Sequence, residues 1–222
     1  MRMFFSKSDG RIRGITLIET LIAGALAALI FGALFLSLQT VLRLNMATRA
    51  GTTAVAIANE YVEYMRALPY DSVGTVAGIP AGLLPQNATT TRNSILFNRR
   101  VLVQYVDAPE DGLGAADTNT ITADYKRAKV EVTWSLRGVS YTVSLITNIV
   151  PPGIESLAGG GTLVVNVFDA AATPISNAAV HIVNASTSPS IDVTAYTNTA
   201  GVVMFPGAPA GGGYQVSATK SG

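Results

Sequence analysis

The sequence predicts an α+β protein: a long N-terminal helix, membrane-spanning in its first half, packed on an antiparallel β-meander and followed by a small all-β sandwich. Three observations predict it. From Thr20 to Leu42 no residue is charged, and Leu, Ile, Ala, Phe and Val dominate. Val130-Glu131-Val132-Thr133-Trp134 alternates with the period of a half-buried strand. Beyond Gly159-Gly160-Gly161, short apolar runs restart at the spacing of a β-sandwich.

The chain opens with a short basic segment, residues 1–14, in which Arg2, Lys7, Arg11 and Arg13 outweigh Asp9. The apolar run that follows is long enough to span a bilayer, which takes roughly 20 residues. It also outlasts the 7–15-residue core of an ordinary secretory signal, so the span is expected to be retained. Positive charge on the leader predicts a cytoplasmic N-terminus and an exported remainder. Within the apolar run stands one charge, Glu19. A carboxylate inside a membrane span is costly, and an isolated one marks a functional site.

Beyond Leu42, Met46, Val55, Ile57, Ala58, Val62 and Met65 mix with charged residues at helical spacing. Gly51 weakens a helix without ending it. Leu68-Pro69 ends it, because the residue before a proline is driven out of the α region. The helix is therefore expected over residues 15–68, with about 15–42 in the membrane and the remainder against a soluble domain.

Residues 69–152 read as a globular β domain. Asp71 to Asn93 is rich in Gly, Pro, Thr and Ala and reads as a long loop. Strands are expected over Ile95–Tyr105, Tyr125–Leu136 and Val139–Val150, the last two joined tightly at Arg137-Gly138. Trp134, the only tryptophan, is expected in the core against the helix. Residues 153–161 form a Gly-rich linker. Residues 162–222 supply five further strand candidates: Thr162–Phe168, Ala178–Val183, Val193–Thr197, Val202–Phe205 and Tyr214–Ala218.

Between Asp107 and Asp124 fall five of the chain's fourteen acidic residues. Two readings stand for this loop. It is a solvated acidic turn, or Asp107, Asp111, Asp117 and Asp124 bind calcium, a hard cation that collects carboxylate and carbonyl oxygens. The spacing does not match the twelve-residue EF-hand loop. No cofactor is otherwise required.

Composition excludes several classes. With no cysteine there is neither a disulfide framework nor thiol chemistry. The single histidine, His181, alternates out of register with Val180 and Ile182 and reads as a surface or edge residue. General acid–base or acyl-transfer chemistry has little to build on, so the chain is not expected to be an enzyme. The basic pairs Arg99-Arg100 and Lys126-Arg127 are short and lie inside strands, so no nucleic-acid surface is expected.

Arg13-Gly14 followed by Ile15-Thr16-Leu17-Ile18-Glu19 resembles the processing signal of type IV prepilins and type II secretion pseudopilins. In that family a membrane aspartyl peptidase cuts after the glycine and N-methylates the new first residue. The resemblance implies cleavage between Gly14 and Ile15, with Glu19 as the assembly residue. A buried carboxylate needs a cationic partner, and the freed amino group of a neighbouring subunit's first residue can supply it. Ile15 stands where the family usually has Phe, and the span lacks proline. Ala58 to Asp71 also looks like the helix end common in such proteins. The compound of basic residue, glycine, spaced carboxylate and apolar run favours this over a plain single-pass anchor.

The C-terminal strands resemble carboxypeptidase-regulatory-like (transthyretin-like) modules, in Thr173-Pro174-Ile175 leading to Ala178-Ala179-Val180 and in Pro206-Gly207 leading to Tyr214-Gln215-Val216. That pattern continues with at least one more strand, so the module is expected to be incomplete. Together the resemblances imply a low-copy filament subunit, a minor pilin or pseudopilin. Its expected partners are the prepilin peptidase, other pilin or pseudopilin subunits, an inner-membrane assembly platform and membrane lipid. The alternative is a membrane-anchored surface binding protein, or adhesin, whose sandwich carries the ligand site.

Overall fold

The computed structural model describes residues 16–110, 112–116, 123–152 and 160–220. The architecture is α+β, with one long N-terminal helix and antiparallel sheets. The chain divides between Arg49 and Ala50 into two compact units. Helix α1 (Leu17–Ala67) begins in the first and ends in the second.

In the first unit α1 has no buried residue from Leu17 to Arg49. Two of its hydroxyls bond back to the preceding turn. Thr20 Oγ1 donates to the Leu17 carbonyl at 2.8 Å, and Thr40 Oγ1 to that of Leu36 at 2.9 Å. Such bonds to the preceding turn let a polar side chain sit in an apolar helix without an orphan donor. This helix is long and apolar enough to cross a membrane.

The second unit opens with the last five turns of α1. Here Ala50, Ala54, Ile57, Ala58, Val62 and Met65 are buried. The three alanines recur every four residues, so they form a low ridge on which a sheet can lie close. Val55 instead remains partly exposed, and Met46 falls in the bare first unit. The helix stops at Ala67, ahead of Pro69. Immediately after it, the Tyr70 carbonyl accepts from Lys126 Nζ at 3.0 Å, and that ammonium sits 4.3 Å from the centre of the Tyr70 ring. The buried lysine thus ties the helix end to the sheet.

That sheet is a four-stranded antiparallel meander in the order β1 (Asn87–Arg92), β2 (Ile95–Val106), β3 (Tyr125–Leu136), β4 (Val139–Ile149). Strand β1 lies inside the segment expected to be loop. Its Asn-Ala-Thr-Thr-Thr-Arg sequence has no apolar alternation, and its turn, Asn93-Ser94, lacks glycine. Yet both turn residues take positive φ, 52° and 62°, as a tight hairpin requires, and Arg92 pairs with Ile95. The turn between β3 and β4 is of the same kind, with Arg137 and Gly138 at 53° and 83°. Phe97, Val101 and Val103 of β2 and Ala128, Val130, Val132 and Trp134 of β3 form the core with the helix ridge. Trp134 lies between Phe97 and Tyr141, its cross-strand neighbours.

The C-terminal module comprises β5 (Gly161–Asn166) paired with β8 (Val202–Ala208), and a second sheet in the order β7 (Ile191–Tyr196), β6 (Ala179–Asn184), β9 (Gln215–Thr219). Val180 and Ile182 are fully buried between them. A loop from the meander helps complete this core. Ile79 packs with Val180, Ile182 and Val203, and the Ala77 carbonyl accepts from the Thr194 backbone N–H at 2.9 Å. Gly74 and Gly82 allow the loop to fold on itself, because a Cβ at Gly74 would run into the Pro80 and Ala81 carbonyls and one at Gly82 into the Gly74 backbone. Gln104 Nε2 adds a 2.6 Å bond to the Tyr196 carbonyl. The sandwich is therefore docked on the meander by described contacts within one unit.

Candidate functional site

Thr16 and Glu19 open the first helix. The Thr16 carbonyl accepts from the backbone N–H groups of Glu19 and Thr20 at 3.1 and 3.2 Å, and Thr16 Oγ1 lies 3.3 Å from the Glu19 N–H. Thr at the cap with Glu three residues on is the spacing of a capping box. The sequence signal for this cap is the Thr16-x-x-Glu19 spacing. A carboxylate in the first turn also faces the positive end of the helix dipole. Glu19 is exposed, as are Leu17, Ile18, Leu21 and Ile22 around it. The site is thus a carboxylate on an apolar surface that is exposed among the described residues. Gly14 and Ile15 lie outside the described residues.

Asp107 and Asp124 bracket the acidic loop. Asp107 Oδ2 accepts from the Gly114 N–H at 2.9 Å, and Asp124 Oδ2 accepts from the Ala108 N–H. Each carboxylate closes backbone that would otherwise be open, a local role that needs no cation. Asp111 and Asp117 lie outside the described residues. Among the described residues no group of three His, Asp or Glu side chains could hold a metal ion.

His181 lies on the exposed face of β6, the central strand of its sheet, with Nε2 2.7 Å from Asp192 Oδ1. Both side chains are largely exposed, so the pair contributes little to stability. Comparison with family models, curated proteins and solved structures finds no match to this chain.

Proposed function

We propose that the chain is a structural subunit, a minor pilin or pseudopilin, of a type IV pilus-like or type II secretion-like filament. The carrying observation is the contrast on α1: 33 residues, Leu17–Arg49, without one buried, bearing a single carboxylate in the first turn. Such a surface needs lipid before assembly and other helices after it. In this reading the prepilin peptidase cuts after Gly14 and methylates Ile15, and Glu19 pairs with the Ile15 amino group of a neighbouring subunit. An inner-membrane platform drives insertion. The sandwich adds bulk outside the helix, which suits a low-copy or tip position better than every site of a packed fibre. The chemistry is assembly, not catalysis.

Glu19→Ala tests the reading. We expect incorporation into filaments to be lost while the variant accumulates in the membrane with an unchanged globular unit. Mass spectrometry of the mature protein should give an N-methylated Ile15 terminus. A chain that still begins at Met1 in a competent host, or full assembly of Glu19→Ala, overturns it.

A further inference from the structure

Strand alternation sorts the two basic pairs of the meander. Lys126 is buried, while Arg127 and Lys129 of β3 and Arg100 of β2 lie out of phase with the core residues Val101, Val103, Ala128 and Val130. They stand on the face of the sheet away from the helix. The docked sandwich places the Asn177 and Asn198–Thr199 turns against that face, leaving a cleft of about 280 Å³. Neither β module forms it alone.

We propose that this cleft binds an acidic saccharide. Its floor is apolar, with Leu102 and the largely exposed Ile146 offering a surface for the C–H face of a sugar ring. Asn177, Asn198 and Thr199 line the opposite wall. Asn177 Oδ1 already accepts from Arg100 Nη2 at 3.1 Å, and Asn198 Oδ1 from the Ala200 and Val202 N–H groups. The amide NH2 groups and the Thr199 hydroxyl are what this wall offers a ligand. The charge is unbalanced. Glu131 is the one carboxylate lining the cleft, and it is shared by Lys129 Nζ at 2.7 Å and Arg100 Nη1 at 3.9 Å. Arg127 is held by neutral partners, Asn148 Oδ1 at 3.3 Å and Tyr125 OH at 2.8 Å, which use two of its five N–H donors. Lys220 stands behind the sandwich wall, its Nζ on the Ser176 and Asn177 carbonyls. Two cations, Arg127 and Lys129, thus line the cleft with one carboxylate, Glu131, and Arg100 and Lys220 stand just beyond the lining. Arg127 also borders a separate groove holding Asp107, Glu110 and Asp124, whereas Lys129 and Arg100 share Glu131. Cations with spare donors above an apolar floor fit a ligand bearing carboxylate and hydroxyl groups together. Nucleic acid fits less well, because the nearby Tyr196 ring is covered by the Arg100 guanidinium at 4.5 Å and offers no stacking platform.

The inference rests on the second unit alone and stands or falls independently of the filament reading. Full-length protein in nanodiscs is titrated calorimetrically with trigalacturonate, maltotriose, inorganic phosphate and an oligothymidylate. We expect saturable binding of trigalacturonate that weakens with salt and exceeds binding of the other three. Lys129→Glu should weaken it at least ~10-fold, the scale of one charge-assisted hydrogen bond, while Lys129→Arg retains it. Thr199→Trp should block the cleft without changing charge, and melting curves confirm that each variant folds. Absent binding overturns the proposal. So do equal binding of maltotriose or phosphate, tighter binding of the oligonucleotide, or indifference to both Lys129→Glu and Thr199→Trp.

Discussion

The two parts of α1 share a secondary structure and differ in what surrounds them. From Leu17 to Arg49 no side chain is buried, and large residues such as Leu34 and Phe35 are about 60% exposed. From Ala50 onward, Ala50, Ala54, Ala58 and Met65 are at most 1% exposed. The exposed part is the more apolar one. Apolarity alone therefore does not say where the core of this molecule lies; the environment each surface is built for does. The packed part uses small residues to bring a sheet close. The bare part carries Gly24 and Gly32, around which there is open space.

Matched substitutions break this comparison most sharply. Met65→Ala opens a cavity in the packed part and should destabilise the globular unit by ~2–5 kcal/mol. At ~2–4 °C per kcal/mol for a unit of this size, that is a clear drop in Tm. Leu34→Ala removes a comparable side chain from the bare part and should leave the same transition unchanged. Equal losses would mean that the bare surface is covered within the chain.

Adding volume gives the converse, smaller effect. Ala54→Leu forces a larger side chain under the sheet and should cost ~1–3 kcal/mol in the same melt. Gly32→Leu meets nothing and should leave the melt unchanged, while lowering filament incorporation if neighbouring helices approach there. A Gly32→Leu protein that assembles normally would place the helix contact elsewhere.

How far these surfaces could be read from sequence depends on the signal each residue type carries. Strands β2 and β3 were legible because Val, Phe and Trp alternate with polar residues. Strand β1 was not, because its threonines suit either face and its positive-φ turn is made by Asn-Ser. The inward ridge of α1 was only half legible. Alanine is weakly hydrophobic, so Ala50 and Ala54 carry little signal, whereas the more apolar Val55 lies on the outer face. At the candidate site, Glu19 was conspicuous as a lone charge, and the cap from Thr16 was hidden behind it. The basic cleft is not legible for another reason: its two walls come from segments about 30–100 residues apart, and only folding brings them together.

The smallest expected effect tests polar balance inside the packed part. Tyr61 lies beneath the Arg99 guanidinium, 3.4 Å from its ring centre, and its hydroxyl has no hydrogen-bond partner among the described residues. Burial raises the phenol above its ordinary value, with Arg99 pulling in the opposite direction. The folded chain therefore holds this proton to higher pH than the unfolded chain does. Above about pH 10 the unfolded state binds fewer protons, so this contribution to stability is whole below that pH and is lost as pH rises through the folded value. Tyr61→Phe keeps the ring under Arg99 and deletes the hydroxyl. Its Tm at pH 7 should be unchanged or raised, since a buried donor without a partner is removed. Its decline between pH 9 and 11 should be shallower than that of the parent. Tyr64→Phe, on a ring that is half exposed, should leave the Tm at pH 7 unchanged. A Tyr61→Phe protein that melts clearly lower at pH 7 would show that the hydroxyl is engaged, and the packed part would then depend on a polar contact as well as on its alanine ridge.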